Sequence, residues 1–494
     1  MIEEFNALIQ NQTWSLVPPH PTQQPVGCKW IFKIKYKADG SIERRKARLV
    51  AKGYHQQFGI DFTETFCPVA KPTTIRVLLS LAAQGDWKVL QLDVSNAFLH
   101  GHLEEDVYMI QPPGFQDPLK PNHVCKLHKS LYGLKQTPRA WYSTLSDSLI
   151  SLGFIMSSTD HSLFTLTSNN SVVYMLVYLD DILLTGNDPS MCQTVLQHLQ
   201  NNFAVKNLGP IHYFLGLEIQ KTSTGYFLHQ SKYATDILSK AFMLDCKPCS
   251  TPSSTSYKLD GINGEPLSPT EASTYRSIVG ALQYLSWTRP DICFSINQVC
   301  QYLHSPRSTH FQDVKCILRF IKGTLSHGLA ICKGPNTVIA YCDSDWAGSP
   351  DDRRSTTGFS VFLGLNLVSW CAKKQPTVAR SSTEAEYRAL AYTSVEIAWL
   401  CQLFKELHLS VTHCPTIWID NISAMSLASN LVYHARTKHI EVDYHYVREL
   451  VTKKFLKLNY IHTKDQVADI FTKSLPSTRF NLLQHKLSVL PLSA

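Results

Sequence analysis

The sequence predicts a multidomain protein in which an α+β part is followed by an α/β domain. The chain has 494 residues, which is too many for a single hydrophobic core, so we expect three or four structural units. Its 44% apolar and 17% charged residues are typical of globular proteins and not of disordered chains or coiled coils. Strand patterns occur at 88–94 and 172–186, and a second mixture of strands and helices begins after residue 336.

Breaks in composition predict the domain boundaries. Between residues 247 and 274, prolines alternate with Ser, Thr and Gly, a composition typical of a linker or surface loop. A shorter break at Gly334–Pro335 precedes the second α/β pattern. We therefore predict the following division: a first unit at 1–246, a linker at 247–272, a third segment at 273–335, an α/β domain at 336–476 and a polar tail at 477–494.

The first unit contains two strand patterns that end in acids. Residues 88–94 alternate, which predicts a strand with Leu92 on one face and Asp93 on the other. Residues 172–186 predict two apolar strands joined by a tight turn, at or beside which Asp180 and Asp181 must lie.

The α/β domain is predicted from its order of patterns. Three strand patterns, beginning with VIAYCD (338–343), precede a helix that starts after Ser381, and a further strand, TIWID (416–420), follows. Three strands, a helix, a strand and a helix predict a mixed sheet with helices packed on it.

The net charge of +8 is locally concentrated. A stretch at 29–52 is either a solvated face or a strip that binds polyanions. Its basic residues are Lys29, Lys33, Lys35, Lys37, Arg44, Arg45, Lys46, Arg48 and Lys52, against Asp39 and Glu43.

Membrane and disulfide signals are weak. No run of about 18 apolar residues occurs and the first 30 residues lack a signal layout, so we expect neither a membrane span nor secretion. The 14 cysteines are scattered, and the close pair Cys246 and Cys249 has no second pair at zinc-site spacing. We expect reduced thiols in an intracellular protein.

Adjacent carboxylates in an apolar hairpin repel each other and raise each other's pKa. A divalent cation removes that cost, and Mg²⁺ prefers carboxylates together with substrate phosphates. Asp93 at a strand end would complete, with Asp180 and Asp181, a two-metal site for phosphoryl transfer. The alternative is that Asp180 and Asp181 only form the turn.

Several motifs together resemble one family. Tyr178-Leu179-Asp180-Asp181 is similar to the polymerase box of reverse transcriptases, with Leu179 where Val is more usual. Further motifs, which cover almost the whole chain, resemble the reverse transcriptase plus ribonuclease H region of copia-type LTR retrotransposon polyproteins. They are KARLVAKGYHQQFGIDFTETFCPVAKPTTIRVLLSLAA (46–83), QLDVSNAFLHGHLEEDVYMIQPPGF (91–115), LHKSLYGLKQTPRAWY (127–142) and YRSIVGALQYLSWTRPDICFSINQV (275–299).

This resemblance implies a fold and a first catalytic site. The fold would be a right-hand polymerase with palm, fingers and thumb, followed by a connection segment and an RNase H-like mixed-sheet domain. Asp93, Asp180 and Asp181 match the catalytic, metal-binding carboxylates of the family.

The resemblance also implies residues that bind the nucleotide. Phe98 matches the aromatic side chain under the incoming sugar, with core packing as the alternative. Lys46 and Arg48 match basic side chains that grip the triphosphate, and the resemblance does not choose between them.

A second set of acids lies in the α/β domain. Carboxylates at strand ends plus one on a helix suit a second two-metal phosphodiesterase site, although single surface acids are the commoner explanation. The motifs YCDSDWAG, SSTEAEYRAL, WIDNISA and HTKDQVADIFTK occur in the order of the RNase H domain of the same polyproteins. The acids are Asp343, Glu384, Glu386, Asp420 and Asp469.

Two choices within this set rest on local sequence. Asp343, and not Asp345, directly ends the apolar strand. Glu384 has a structural role if Ser381-x-x-Glu384 is a capping box, which leaves Glu386 as the helix acid, although a box at Thr383 is an alternative. The resemblance therefore implies catalytic and metal-binding roles for Asp343, Glu386, Asp420 and Asp469.

The function implied is an RNA-directed DNA polymerase with RNase H activity on RNA–DNA hybrids. Two Mg²⁺ ions per active site would be the cofactors, with Mn²⁺ as a substitute. The expected partners are an RNA template, a DNA primer, the hybrid and deoxynucleoside triphosphates (dNTPs), and the capsid-like particle and integrase of the same element, but no membrane. We expect a cytoplasmic location, within virus-like particles, or a nuclear one. The alternatives are an inactive or a domesticated remnant that binds nucleic acid without chemistry.

Overall fold

The computed structural model gives two compact units, each of which is described here by itself. The first consists of Met1–Ala70 and Lys88–Pro210, and the second of Lys71–Trp87 and Ile211–Ala494. None of the helices described is long and apolar enough to cross a membrane. Lys37 and Asp39 of the basic stretch lie outside the described residues, which are 1–21, 24–36, 41–429 and 441–492.

The first unit contains three sheets. One is the hairpin of β2 and β3, one has the order β1-β6-β5, and the largest has the order β11-β4-β10-β9-β8-β7. The strands are β1 (Trp14–Val17), β2 (Cys28–Tyr36), β3 (Ile42–Ala51), β4 (Val89–Val94), β5 (His102–Met109), β6 (Val124–Lys129), β7 (Ile155–Met156), β8 (Leu163–Ser168), β9 (Ser171–Tyr178), β10 (Asp181–Gly186) and β11 (Val205–Pro210).

Helices cover these sheets. Two of them pack with the largest sheet around a core that includes Trp141, Leu149, Phe164 and Ile182. Asp188 caps the second of these two, because its carboxylate accepts from the backbone N–H of Ser190 and Met191. The helices up to residue 210 are α1 (Ile2–Gln10), α2 (Pro72–Gly85), α3 (Thr137–Ser151) and α4 (Pro189–Asn202).

Both strand predictions for the first unit are confirmed. β4 covers the alternating segment, and β9 and β10 form the antiparallel hairpin with Tyr178 paired to Asp181. Leu179 and Asp180 make the two-residue turn between them.

In the sequence, helix α2 lies between β3 and β4, which belong to the first unit. The helix itself belongs to the second unit. Its Arg76 is buried and donates from Nε to the carbonyl of Val368 at 2.8 Å and from Nη1 to that of Trp287 at 3.1 Å. The guanidinium also lies over the ring of Trp370, 3.8 Å from its centroid. Burial lowers the pKa of Arg76 to about 9.

The second unit contains two five-stranded sheets. One has the antiparallel order β12-β13-β14-β15-β21, and the other has the order β18-β17-β16-β19-β20. The strands are β12 (Tyr213–Phe214), β13 (Leu217–Lys221), β14 (Gly225–His229), β15 (His327–Cys332), β16 (Val338–Asp345), β17 (Thr356–Leu363), β18 (Asn366–Lys374), β19 (Thr416–Ile419), β20 (Lys457–Tyr460) and β21 (Val489–Pro491).

The second of these sheets is the predicted mixed sheet. β16, β17 and β18 are antiparallel neighbours, whereas β19 runs parallel to both β16 and β20. The helices of the unit after residue 210 are α5 (Ser231–Lys240), α6 (Pro269–Leu285), α7 (Cys293–Cys300), α8 (Ser308–Gly323), α9 (Ser382–Glu406), α10 (Ile422–Ser429), α11 (Glu441–Thr452) and α12 (Ser477–Lys486).

The prediction of a polar tail at 477–494 is wrong. Helix α12 buries Phe480 and Leu483, and Leu487 and Val489 behind it are also buried. Strand β21 then pairs antiparallel with β15. The spacing of these apolar residues places one side of the segment in the core. The prediction failed because most residues of this short segment are polar.

Candidate active sites

The first acid group consists of Asp93, Asp180 and Asp181, which meet at one end of the largest sheet of the first unit. Asp93 on β4 is directly opposite Asp181 on β10. Side chains at such positions have Cβ atoms about 4.5–5.5 Å apart. Asp180 precedes Asp181 in the turn, and its carbonyl accepts from the backbone N–H of Val94 at 2.8 Å. The structure thus brings the three predicted acids together.

The turn that carries these acids is held in a restricted conformation. Leu179 has φ +54°, in the left-handed region that side chains other than glycine seldom adopt. Buried Trp141 donates from Nε1 to the carbonyl of Leu179 at 2.8 Å. Such backbone strain persists where surrounding contacts fix it, and it is common at functional sites.

The electrostatics of the first acid group favour a cation. Burial raises the pKa of Asp181 to about 6, and the charges of Asp180 and Asp93 add to this effect. Burial also raises the pKa of Asp180, with Asp93 adding to the shift and Arg48 and Lys46 opposing it. All three acids are only half-buried. Half-exposed carboxylates that disfavour each other's ionisation are a suitable donor set for Mg²⁺.

The predicted nucleotide-binding residues lie near this group. Lys46 and Arg48 occupy the same face of β3, and their charges act on Asp180. Phe98 lies in a short 3₁₀ helix, Ala97–His100, that follows β4.

Sequence reasoning missed Tyr132, which connects two of these residues. Its ring meets that of Phe98 edge-on at a centroid distance of 5.0 Å. The guanidinium carbon of Arg48 lies over the same ring, 4.5 Å from the centroid. The motif that contains Tyr132 was recognised, but nothing in its spacing indicated this contact. Tyr132 therefore positions both Phe98 and Arg48.

The second acid group consists of Asp343, Glu386 and Asp420, which meet where the mixed sheet of the second unit and helix α9 approach each other. Asp343 lies on β16, Glu386 in the second turn of α9, and Asp420 directly after β19. One carboxylate oxygen of each lies within 4.8 Å of the other two. Asp343 is 1% exposed and Glu386 7%.

This group fits a divalent cation. The Oε2 atom of Glu386 is buried and has no hydrogen-bond partner, a costly state that an oxygen-preferring ion would relieve. Burial raises the pKa of Glu386 well above its usual range, and Asp343 and Asp420 add to the effect. Burial likewise raises the pKa of Asp343 to about 6, although Lys473 opposes the shift.

The fourth predicted acid, Asp469, lies beside the group but is held by two cations. Its carboxylate is paired with Lys473 at 2.6 Å and with Arg479 at 2.6 Å. Lys473 also reaches Asp343, at 3.1 Å from Nζ to Oδ2. Asp469 is not among the three acids whose oxygens converge within 4.8 Å in the described chain. Sequence reasoning missed Lys473, although its position four residues after Asp469 was a signal of ion pairing.

The structure can be compared with the two choices made from local sequence, Glu386 over Glu384 and Asp343 over Asp345. Ser381 accepts from the N–H of Glu384, and the Glu384 carboxylate accepts from the N–H of Arg380 and pairs with Arg388 at 2.7 Å. Glu384 thus has structural partners at the start of α9. The expectation that Asp343 ends its strand is wrong, because β16 continues to Asp345, which accepts from the N–H of Thr356. It is Asp343, and not Asp345, whose carboxylate lies with those of Glu386 and Asp420.

Comparisons with known proteins identify relatives of the chain. Residues 11–255 match the family model described as reverse transcriptase (RNA-dependent DNA polymerase). The chain is 50% identical over 491 residues to the retrovirus-related Pol polyprotein from transposon RE1 of Arabidopsis thaliana, covering 99% of this chain and 33% of that protein. It is 32% identical over 310 residues to the transposon Ty5-1 protein of Saccharomyces cerevisiae, covering 62% of this chain and 100% of that protein.

Among solved structures, the chain resembles the foamy viral protease-reverse transcriptase in complex with RNA/DNA hybrid. The TM-score is 0.50 at 12% identity, and the match covers 96% of this chain and 54% of that one. A likeness at this identity concerns the fold. The chain spans about a third of the length of the RE1 polyprotein.

Proposed function

Because the chain belongs to the reverse transcriptase family of copia-type retrotransposon Pol polyproteins, we propose that it is an RNA-directed DNA polymerase with RNase H activity. In this proposal the first unit supplies the fingers and palm. The second unit supplies the thumb, the connection and an RNase H-like domain. The substrates would be a primed RNA template, dNTPs and the resulting RNA–DNA hybrid.

DNA synthesis is assigned to the first acid group. Asp93, Asp180 and Asp181 would hold Mg²⁺, which would stabilise the charge on the attacking 3′-oxygen and on the leaving pyrophosphate. Lys46 and Arg48 would bind the triphosphate, since both already act on the charge of Asp180.

Selection of the sugar is assigned to Phe98. Its ring is packed against Tyr132, so it cannot move aside without disturbing that contact. A deoxyribose would fit beneath it, whereas a 2′-hydroxyl would collide with the ring.

Cleavage of the RNA strand is assigned to the second acid group. Asp343, Glu386 and Asp420 would hold the cation, and the Thr463 hydroxyl keeps Asp420 oriented by donating to its Oδ2 at 2.9 Å. Asp469 would join as a ligand only after release from Lys473 and Arg479. Selectivity for RNA would come from contacts to its 2′-hydroxyls, which the DNA strand lacks.

One observation carries the proposal of polymerase activity. Asp93 and Asp181 face each other on neighbouring strands, and Asp180 stands beside them in a turn that Trp141 fixes. A turn-forming role alone accounts for Asp180 and Asp181, but it does not account for a third acid on a separate strand.

The test is primer extension by the purified chain on an RNA template with Mg²⁺ and dNTPs. We expect full-length DNA from the wild-type chain and none from Asp180→Asn. Asp188→Asn is the matched control, because Asp188 caps α4 away from the acids. Binding of the primed template without extension by the wild-type chain would instead favour the remnant that binds nucleic acid without chemistry.

A further inference from the structure

Two cysteines of the second unit approach each other between α8 and the segment that precedes α6. Cys249 lies in residues 247–268, a described stretch without helix or strand, and Cys316 lies in the middle of α8. Their Sγ atoms are 3.9 Å apart, and both residues are half-buried. The Sγ of Cys249 also lies 3.3 Å from the carbonyl oxygens of Thr251 and Cys316.

We propose that Cys249 and Cys316 are a site of reversible disulfide formation that ties the 247–268 segment to α8. A disulfide needs the two sulfurs at about 2.05 Å. Cys316 is fixed by its helix, but Cys249 is in irregular backbone, so its side chain can supply most of the approach. Sixty-seven positions separate the two residues, and the bond would therefore close a long loop.

The two thiols differ in the way that such a reaction requires. The hydrogen bond with Cys316 lowers the pKa of Cys249 to about 7, and the nearby charge of Arg319 also lowers it. The pKa of Cys316 is raised by the same hydrogen bond and by burial. By contrast, burial raises the pKa of thiols elsewhere in the chain, to about 11 for Cys192 and Cys300. Cys249 also lies in irregular backbone beside Arg319, whose charge favours a thiolate, whereas Cys316 is held within α8, so Cys249 is the attacking thiolate and Cys316 the resolving thiol.

The oxidant would be a small-molecule disulfide such as oxidised glutathione. The Cys249 thiolate attacks one sulfur of the oxidant, which forms a mixed disulfide and releases one glutathione thiolate. Cys316 then loses its proton, attacks Cys249 Sγ and displaces the second glutathione thiolate. Two protein thiols become one disulfide, and one oxidised glutathione becomes two reduced molecules.

The bond would fix one wall of a cavity. Residues 252–259 line a cavity of about 470 Å³, whose other side includes Asp345 and Lys473. At present this wall is held by the Tyr257 hydroxyl, which donates to Asp313 on α8, and by Lys258, which donates to the carbonyl of Gly348 at 3.1 Å. The carbonyl of Leu259 in the same wall also accepts from the buried Tyr302 hydroxyl at 2.9 Å, and a covalent tie at Cys249 would add to these hydrogen bonds.

The test is disulfide mapping on the full chain. The reduced protein is treated with oxidised glutathione at pH 7.5, free thiols are alkylated, and peptides are compared by mass spectrometry with and without dithiothreitol. We expect a Cys249–Cys316 peptide that dithiothreitol removes. Cys316→Ser should stop at a glutathione adduct on Cys249, and Cys249→Ser should leave Cys316 unmodified.

The matched control is Cys246→Ser, which removes a half-buried thiol three residues away and should leave the disulfide unchanged. Oxidation should also raise the midpoint of thermal unfolding by several degrees in the wild type and in Cys246→Ser, but not in Cys249→Ala. A disulfide of Cys249 with Cys246, or an adduct on Cys249 that Cys316 never resolves, would overturn the proposal. Neither readout uses enzymatic activity, so the result is independent of the proposed function.

Discussion

The two acid groups bring carboxylates together in opposite ways. The first is assembled from adjacent strands, is half-exposed, and has its basic neighbours Lys46 and Arg48 on a separate hairpin. The second gathers Asp343, Glu386 and Asp420 from two strands and a helix, and Asp343 and Glu386 are almost fully buried.

The difference lies in where the positive charge comes from. In the second group the protein supplies its own cation, because Lys473 bridges Asp343 and Asp469. Burying several carboxylates without such a partner would cost several kcal/mol per charge. In the first group, solvent and the half-exposed setting reduce that cost. We infer that the open site can receive its counter-charge with the metal ion, whereas the buried site needs a positive side chain of its own.

The largest expected effect tests whether the two groups act separately. Asp180→Asn should lower DNA synthesis by about 10³-fold or more, since loss of a metal ligand removes several kcal/mol of charge stabilisation. Cleavage of a labelled RNA–DNA hybrid should stay within about twofold, because the other acid group is intact. Glu386→Gln should do the reverse in the same two assays.

Glu384→Gln is the matched control for Glu386→Gln, because Glu384 lies in the first turn of the same helix, where it accepts from the N–H of Arg380 and pairs with Arg388. We expect it to retain cleavage. If Glu384→Gln abolished cleavage and Glu386→Gln did not, the choice of helix acid would be reversed. If either Asp180→Asn or Glu386→Gln removed both activities in a folded protein, the assignment of two sites would be wrong.

The next effect concerns the open site. Phe98→Val should reduce the preference for deoxyribonucleotides over ribonucleotides by roughly 10- to 100-fold, because a clash of this size is worth about 1–3 kcal/mol. The measurement is kcat/KM for a matched pair of nucleotides on one template. Tyr132→Phe keeps the ring against Phe98 and should leave the preference unchanged. An unchanged ratio in Phe98→Val would indicate that Phe98 is only a core aromatic.

A smaller effect tests whether the basic neighbours of the open site bind the nucleotide. Lys46→Ala combined with Arg48→Ala should raise KM for dNTPs by about tenfold, since charge pairs of half-exposed side chains contribute about 0.2–1 kcal/mol each. Affinity for the hybrid, measured at fixed salt, should fall less. Arg45→Ala removes one positive charge from the opposite face of β3 and is the control for loss of charge on this strand. Equal losses in KM and hybrid affinity would mean that Lys46 and Arg48 contact the template backbone.

The smallest effect compares how the two groups respond to pH without metal. The pKa values of Asp181 and Asp343 are both raised to about 6, so each folded acid holds its proton more tightly than the unfolded one. Their contribution to stability is complete below about pH 4 and is lost as the pH rises through 6. In EDTA the unfolding midpoint should therefore fall between pH 5 and 7.5, and Mg²⁺ should reduce the fall.

Substituting either acid shows how much it contributes to the pH dependence of the unfolding midpoint. We expect Asp343→Asn and Asp181→Asn each to flatten the pH dependence in EDTA by a similar amount, because the two acids have similarly raised pKa values. A midpoint that rises with pH in EDTA, or a pH dependence that neither variant changes, would contradict this prediction.

Sequence patterns captured what is local in both groups. The hairpin around Asp180 and Asp181 follows from two apolar segments and a short turn, and β4 follows from alternation. The Ser381 cap that supported Glu386 over Glu384 is likewise a local signal. Contacts between distant segments were not accessible in this way. Tyr132 reaches Phe98 and Arg48, and Lys473 reaches Asp343, across 34, 84 and 130 positions.

The basic stretch and the predicted tail show the same limit. Spacing alone could not tell which basic residues of 29–52 act on Asp180, because that depends on how the β2–β3 hairpin is placed within its unit. The segment after 476 was predicted as a tail because its few apolar residues, four of which are buried, stand among many polar ones. The strand that pairs with β21 is β15, more than 150 positions earlier.

Helix α2 sets a condition on the order in which the chain can fold. Its buried Arg76 binds the carbonyl of Val368, 292 positions later. At synthesis rates of about 5–20 residues per second, the helix would wait roughly 15–60 s for that partner. During this time a largely apolar helix stands between β3, which pairs with β2, and β4, which pairs with β10 and β11. The nascent chain must therefore loop α2 out and keep it from aggregating, so its folding depends on late synthesis and on any chaperone that covers the helix until then.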